Sequence, residues 1–215
     1  MNRKKSALIP LFHESFTTET DGLPGGWHVE QNTDMPDVPA IRRGEACVEI
    51  LSAGNKFLPI IPDTSDFQAD ITMRINYDSA QQFAFLICFR YDMESGRGQA
   101  IRISNPRQAA ELSVEYGTMR LNEFTAKEGK TFKVRRSLFS GPIRTVLSAE
   151  GTGITVSLLG VKADFTISKG KGKLAVAREH FWDVLKITAC EILGEKPRSA
   201  GKDVSFTVPM PDSLT

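Results

Sequence analysis

Long hydrophobic runs are absent from this sequence. Nowhere in its 215 residues do about 18 uncharged apolar residues follow one another, so it holds no candidate transmembrane helix. Neither sign of charge is in excess, since 27 Lys and Arg residues against 26 Asp and Glu residues leave a net charge of +1. Nucleic acids and anionic membranes attract clustered Lys and Arg, and no such block stands out here. We therefore expect neither a nucleic acid nor a membrane as partner.

Cysteine and histidine are both scarce, with three residues of each. Cys47, Cys88 and Cys190 lie far apart and are flanked by alternating apolar residues, which predicts buried strand thiols rather than disulfides or a zinc site. No two histidines have the spacing of metal ligands, and no G-x-S-x-G motif marks a nucleophilic serine. Buried thiols fit a cytoplasmic, reducing compartment and equally fit a secreted chain whose signal peptide has been removed, so localisation stays open.

The sequence is rich in period-2 alternation, the pattern of half-buried strands. Residues 66–76, DFQADITMRIN, carry an apolar side chain at every second position. Residues 82–92, QFAFLICFRYD, are apolar on both faces, which is typical of a central strand covered on both sides. Similar short segments recur about every 8–12 residues, so we predict an all-β, antiparallel two-sheet β-sandwich. For residues 127–140 we predict a short helix or an irregular crossing instead.

The length is that of one sandwich domain. We predict a disordered lead over residues 1–8, the sandwich over residues 9–192, and a linker-like tail over residues 193–215. The tail has three prolines and one apolar segment, VSFTV, which suits an edge strand. Such a tail is typical of the end of a module, so we expect an adjoining catalytic domain or self-association.

The opening segment, residues 11–32, is LFHESFTTETDGLPGGWHVEQN, and it predicts two strands joined by a turn with Gly and Pro. Short motifs near the two ends of the chain contain Phe12, Glu14 and Phe16, and Asp183, Leu185, Lys186 and Ile187. With the strand–turn–strand pattern GTGITVSLLGVKADF, they resemble the concanavalin A-like lectin and glucanase superfamily. There an F-x-[DE]-x-F strand lies near a D-x-[VL]-[KR]-[VI] strand. The resemblance implies a jelly roll whose first strand closes the sandwich beside the last, with Trp27 capping or lining it.

The resemblance also implies a concave sheet with a groove for carbohydrate, where rings stack on sugar faces and planar polar groups bind hydroxyls. Fold alone does not give function, so the residues must be argued separately. Side chains on faces that the sequence predicts to be wet, and rings that suit stacking, are candidates. The candidate ligand-binding residues are Arg74, Arg90, Tyr91, Gln99, Arg102, Glu111, Glu115 and Trp182. Trp27, Tyr116 and His180 are further candidate platforms.

Catalysis is the alternative, through the segment ELSVE. Retaining β-glucanases of the superfamily carry E-x-D-x-E or E-x-D-x-x-E on one strand, and this sequence keeps Glu111 and Glu115 but has Ser113 in the middle. Residues i and i+4 of a strand lie about 13 Å apart at the backbone, whereas retaining chemistry needs carboxyl groups about 5 Å apart. Sandwiches of the keto-disaccharide hydrolase type usually carry an Asn-Ser-Gly turn before a strand that ends in Arg. This chain has the arginine, Arg90, but lacks the Asn-Ser-Gly turn. We therefore name no catalytic residue, and Glu111 and Glu115 form the alternative.

Many members of the superfamily hold Ca²⁺ between the terminal strands. The matching oxygen ligands here are Glu14 and Asp183, so the resemblance implies a calcium site at these residues. The function that we expect is carbohydrate binding, in a lectin-like or accessory module of a carbohydrate-active enzyme system. The alternatives are a glycoside hydrolase and a structural sandwich that mediates subunit or domain packing. Sugar identity and linkage lie beyond the sequence.

Overall fold

The computed structural model describes residues 8–16, 26–30, 41–44, 47–50, 56–75, 83–105, 110–179 and 185–195. Within these residues it contains strands and a 3-10 helix, Arg136–Ser140. The strands are β1 (Ile9–Glu14), β2 (Trp27–Glu30), β3 (Ile41–Gly44), β4 (Cys47–Ile50), β5 (Lys56–Pro59), β6 (Phe67–Ile75), β7 (Phe83–Asp92), β8 (Arg97–Asn105), β9 (Glu111–Arg120), β10 (Glu123–Lys133), β11 (Ile143–Glu150), β12 (Gly153–Leu158), β13 (Val161–Thr166), β14 (Lys173–Arg178) and β15 (Leu185–Gly194). No helix in this part of the chain has the length and apolar character needed to span a membrane.

The strands form two antiparallel sheets. The eight-stranded sheet has the order β13-β12-β11-β6-β15-β4-β3, with β1 also paired to β15, and the seven-stranded sheet has the order β10-β9-β8-β7-β14-β5-β2. Apolar side chains from both sheets meet between them in one large core cluster. The predicted all-β two-sheet sandwich is therefore confirmed.

Local side-chain patterns explain the central strands. In β6 buried and half-buried residues alternate, because one face contacts the core and the other faces solvent. In β7 nine of the ten residues are buried, as a central strand with apolar side chains on both faces requires. The three cysteines lie on β4, β7 and β15, where all three are buried free thiols, as predicted.

The opening strands are placed differently from the expectation of a strand pair. β1 pairs with the last strand, β15, so the terminal strands do close the sandwich side by side. β2 pairs with β5 in the other sheet. The reason is aromatic packing, because Trp27 is buried in the core, where Phe12 contacts it edge-on at 4.8 Å and Phe57 stacks on it at 4.0 Å. β1 and β2 therefore face each other across the core, which Trp27 lines.

Residues 127–140 also differ in part from the expectation. The 3-10 helix Arg136–Ser140 matches the predicted short helix. Residues 127–133 instead belong to β10, which pairs with β9 over nearly its whole length despite a mostly exposed side-chain pattern. The proposed lead and most of the tail, with its VSFTV segment, lie outside the described residues.

Candidate functional site

The outer face of the seven-stranded sheet, turned away from the core, carries most of the candidate residues that the structure brings together. Four strand spacings, about 19 Å in a flat sheet, separate β9 from β5. Even so, Lys56 Nζ on β5 lies 3.4 Å from Asn122 Oδ1 in the turn after β9. The long Lys56 side chain and the turn between β9 and β10 therefore meet over this outer face. We call the outer face between β9 and β5 the groove, after the carbohydrate groove that the resemblance implies.

A network of three charged side chains lies on this outer face. Arg102 on β8 donates from Nη1 to Glu115 Oε2 on β9 at 3.0 Å and from Nε to Glu179 Oε2 at 2.5 Å. The exposed fractions of the three side chains are 27% for Arg102, 22% for Glu115 and 26% for Glu179. Each is half-buried, so the network is held in place and still open to a ligand.

Strand register and alternation explain why these residues meet. Arg102 and Glu115 are directly opposite each other in the β8–β9 ladder, and their neighbours along both strands point into the core. Glu115 also lies opposite Gly129 on β10, where a Cβ atom would be only 3.2 Å from Glu115 Cγ. The glycine therefore leaves the room that the Glu115 side chain occupies.

The electrostatics of the network stabilise the charged guanidinium. Burial lowers the pKa of Arg102, but hydrogen bonds and charge from Glu179 and Glu115 outweigh burial and raise that pKa above its usual value. In the described part of the chain, no residue binds Arg102 Nη2 or the second oxygen, Oε1, of either glutamate. These three atoms are available to a ligand.

Hydroxyl groups and two further charged residues extend the polar surface. Ser113 on β9 lies between Ser104 on β8 and Thr131 on β10 in the strand register. Two residues along β9, Glu111 lies opposite Lys133. Because alternate residues of a strand share a face, Glu111, Ser113 and Glu115 lie in one row on the outer face.

Phe124 on β10 supplies an aromatic ring beside this polar surface. The ring is half-buried and packs against the apolar cluster of the outer face. It lies directly over Gly117, where a Cβ atom would be 2.7 Å from the ring. Gly117 follows Glu115 by two residues, so the ring covers a position about 7 Å along β9 from Glu115. That separation is close to the size of one sugar ring.

Tyr91 and its neighbours fill the other part of the groove. Lys56 is only 1% exposed, donates to Glu30 Oε1 at 2.7 Å and has its ammonium 5.0 Å from the Tyr91 ring centroid. The Tyr91 hydroxyl donates to the same Glu30 oxygen at 2.7 Å. Burial and this hydrogen bond raise the pKa of Tyr91. Because its ring is fully buried, Tyr91 presents no open surface to stack a sugar.

Two further candidates, Arg90 and Gln99, do not lie in the groove. Arg90 is 6% exposed, and its guanidinium donates to the backbone oxygens of Ser65 and Gly151, at 2.8 and 2.9 Å, and to that of Ser168. Burial lowers the pKa of Arg90, and the charges of nearby acidic groups partly offset this.

Gln99 points into the core beside Tyr116, whose hydroxyl donates to Gln99 Oε1 at 2.8 Å. The Gln99 amide nitrogen donates to Ser168 O at 2.9 Å, and Ser168 N donates to Gln99 Oε1 at 3.0 Å. Because Gln99 and Tyr116 use their polar groups on each other and on backbone, both belong to the packing of the two sheets. Gln99, which we expected to face solvent, is therefore buried between the two sheets.

The remaining candidates are distributed elsewhere. Arg74 is exposed on the eight-stranded sheet, opposite Lys186 and on the far side of the molecule. Glu14 accepts a hydrogen bond from the backbone N–H of Phe16 at 2.7 Å. Trp182, Asp183 and His180 lie outside the described residues. Within the residues that are described, no group of three His, Cys, Asp or Glu side chains is arranged to hold a metal ion, and the calcium site stays a prediction.

The structure thus brings Arg102, Glu111 and Glu115 together on one face, and it adds Glu179 and Phe124, which the sequence argument did not name. Glu179 had a detectable signal, because it continues the alternation of Ala175 and Ala177 on the outer face of β14. Phe124 had none, because β10 lacks the apolar alternation of a strand.

Comparisons with known proteins identify solved structures that share this architecture. No family model and no curated protein matches the chain. Among solved structures, the CBM2 module of the evolved Dit of Lactobacillus casei BL23 phage J-1 aligns with a TM-score of 0.62 at 10% identity, covering 89% of this chain and 98% of that one. The carbohydrate binding module CBM66 from Bacillus subtilis aligns with a TM-score of 0.53 at 14% identity, covering 79% and 92%. The endo-1,3-β-glucanase catalytic domain of Thermotoga petrophila RKU-1 aligns with a TM-score of 0.60 at 8% identity, covering 89% of this chain and 99% of that one.

These likenesses establish the fold. The chain is a jelly-roll sandwich of the concanavalin A-like type, as the terminal motifs predicted. At identities of 8 to 14%, the function of this chain has to be argued from its own groove.

Proposed function

We propose that this domain binds carbohydrate in the groove of the seven-stranded sheet. The observation that carries the proposal is the half-buried network of Arg102, Glu115 and Glu179, which leaves a donor and two acceptors available. Sugar hydroxyls donate and accept at once, so they match a surface on which both kinds of atom alternate. The Phe124 ring beside the network suits the apolar face of a sugar. The likeness to a carbohydrate binding module supports the same assignment.

A glycan array followed by titration calorimetry tests the proposal. We expect the unchanged protein to bind a saccharide on the array, and Arg102→Ala to weaken its affinity by about tenfold or more, the equivalent of one or two lost hydrogen bonds. Phe124→Leu should weaken affinity while keeping apolar contacts in place. Arg144→Ala is the control, because Arg144 forms an ion pair with Asp70 on the outer face of the other sheet, away from the groove.

Two results would contradict the proposal. One is an array on which the unchanged protein binds no saccharide. The other is an Arg102→Ala variant that remains folded and binds as tightly as Arg144→Ala.

Glycoside hydrolysis is the second candidate, because Glu111, Ser113 and Glu115 share the outer face of β9. Retaining chemistry needs two carboxyl groups about 5 Å apart, one of which donates a proton. In this groove Glu115 Oε2 already accepts a hydrogen bond from Arg102. A reducing-sugar assay on the saccharides that bind distinguishes the candidates. A hydrolase would release new reducing ends and lose that activity in the Glu111→Gln and Glu115→Gln variants, whereas a binding module would release none.

A further inference from the structure

The polar atoms that the groove leaves open differ in kind. Arg102 keeps unused N–H donors on Nη2 and Nη1, whereas Oε1 of Glu115 and Oε1 of Glu179 are acceptors that no residue of the described part binds. The network therefore offers N–H donors on one residue and carboxylate acceptors on the two residues bonded to it. A ligand that uses the carboxylate oxygens must donate hydrogen bonds to them.

The ionised groups of the groove are also unequal in number. Lys56 is paired with Glu30, and Lys133 lies opposite Glu111. The central network then has two carboxylates and one guanidinium, which leaves one negative charge. Because all three side chains are half-buried, solvent screens this charge less than it screens charges on an exposed surface.

We infer that the network selects saccharides without acidic groups, so that the ligand class is neutral sugars whose hydroxyls donate to Glu115 and Glu179. This inference rests on the proposed function. A hydroxyl can accept from Arg102 Nη2 while its neighbours donate to the two carboxylates. A uronic acid carboxylate has no proton to donate at neutral pH, and it would meet two carboxylates around the single guanidinium. Discrimination of this kind works by repulsion of the wrong ligand.

The test compares one saccharide in two forms. The neutral oligosaccharide that binds best on the array is oxidised at its primary alcohols, which turns hexose units into uronic acids and keeps the linkage. Calorimetry at low ionic strength should give an affinity for the neutral form about tenfold or more above that for the oxidised form. Raising the salt concentration to about 0.5 M should narrow this ratio, because the difference is electrostatic.

Variants assign the discrimination to the network. Glu115→Gln with Glu179→Gln removes two charges at constant size, so the ratio should fall to about threefold or less. Glu179→Gln alone should reduce the ratio by a smaller factor, and it serves if the double variant does not fold. The matched control is Glu191→Gln, because Glu191 is an exposed residue of the eight-stranded sheet. That variant should keep the full ratio.

The outcomes separate this inference from the proposal beneath it. If the unchanged protein binds the oxidised form as tightly as the neutral form, the inference is wrong and carbohydrate binding stands. A ratio that stays the same in Glu179→Gln and at high salt also overturns the inference. If no saccharide binds in either form, carbohydrate binding itself fails.

Discussion

The Arg90→Met substitution distinguishes two roles of Arg90, ligand binding and support of the fold, because the two predict different losses of stability. As a ligand-binding side chain, which the sequence suggested, Arg90 would contribute little to stability. In the structure its buried guanidinium joins three chain segments through the backbone oxygens of Ser65, Gly151 and Ser168. It therefore connects the start of β6, the turn between β11 and β12, and the segment after β13.

The magnitude follows from those three hydrogen bonds. A hydrogen bond to a charged group contributes about 1.5–3 kcal/mol. Methionine replaces much of the apolar contact, and the oxygens near the surface regain water, so we expect a net loss of about 4 kcal/mol in the free energy of unfolding. That is a large part of the roughly 5–15 kcal/mol by which most domains are stable. In a chain of this length, the melting temperature should fall by about 10 °C.

Urea denaturation and a thermal melt, both followed by circular dichroism, measure this loss. Arg144→Met is the control, because it removes a guanidinium from an exposed ion pair, which we expect to contribute less than about 1 kcal/mol. If Arg90→Met is as stable as the control and has lost saccharide binding, Arg90 acts on the ligand and the structural role is refuted.

Three further predictions concern other parts of the sandwich. Gly117→Ala should lower the free energy of unfolding by about 1–3 kcal/mol in urea denaturation, because the added Cβ would lie 2.2 Å from a backbone oxygen of β10. Gly141→Ala is the control and should lower it little, because no atom lies within 4 Å of the Cβ added there. Burial raises the pKa of both Cys88 and Cys190 to about 12, well above that of a free thiol. The stability that comes from keeping these thiols neutral is complete below about pH 9. It is lost as the pH rises toward 12, because in that range the thiols ionise only in the unfolded chain. At pH 8 a thiol reagent should react with them only after the protein unfolds. If the calcium hypothesis at Glu14 holds, stability should rise by about 2.7 kcal/mol at a hundred times the dissociation constant, and equal melting temperatures in Ca²⁺ and in chelator would remove it.

The sequence predicted best those strands whose pattern is set by their own burial. β6 has one buried face and β7 has two, so local side-chain order contains the whole signal. β10 is different, because its side chains are mostly exposed and its conformation comes from backbone pairing with β9. Pairing of that kind depends on the partner strand and leaves little trace in a single segment.

The candidate site was predicted in part for a related reason. Gln99 and Arg102 are three positions apart, so a regular strand cannot place both on one face. Arg102 occupies the outer face, and Gln99 points inward because Tyr116 and the Ser168 backbone satisfy its amide group. Because both side chains are polar, the sequence predicted that both lie on a solvent-facing surface. A polar side chain whose hydrogen bonds are all made is equally stable when buried. The position of a partner in space, which the sequence does not contain, decides between these cases.

The pairing of β1 with β15 has a consequence for how such a domain can be combined with others. Ile9 and Gly194 are register partners, so the first described strand starts about 5 Å from the point where the last one ends. Among the described strands, the start of the first and the end of the last therefore lie side by side. A domain with this geometry can be inserted into a surface loop of another protein without separating the two ends of that loop, and its groove then remains free on the seven-stranded sheet.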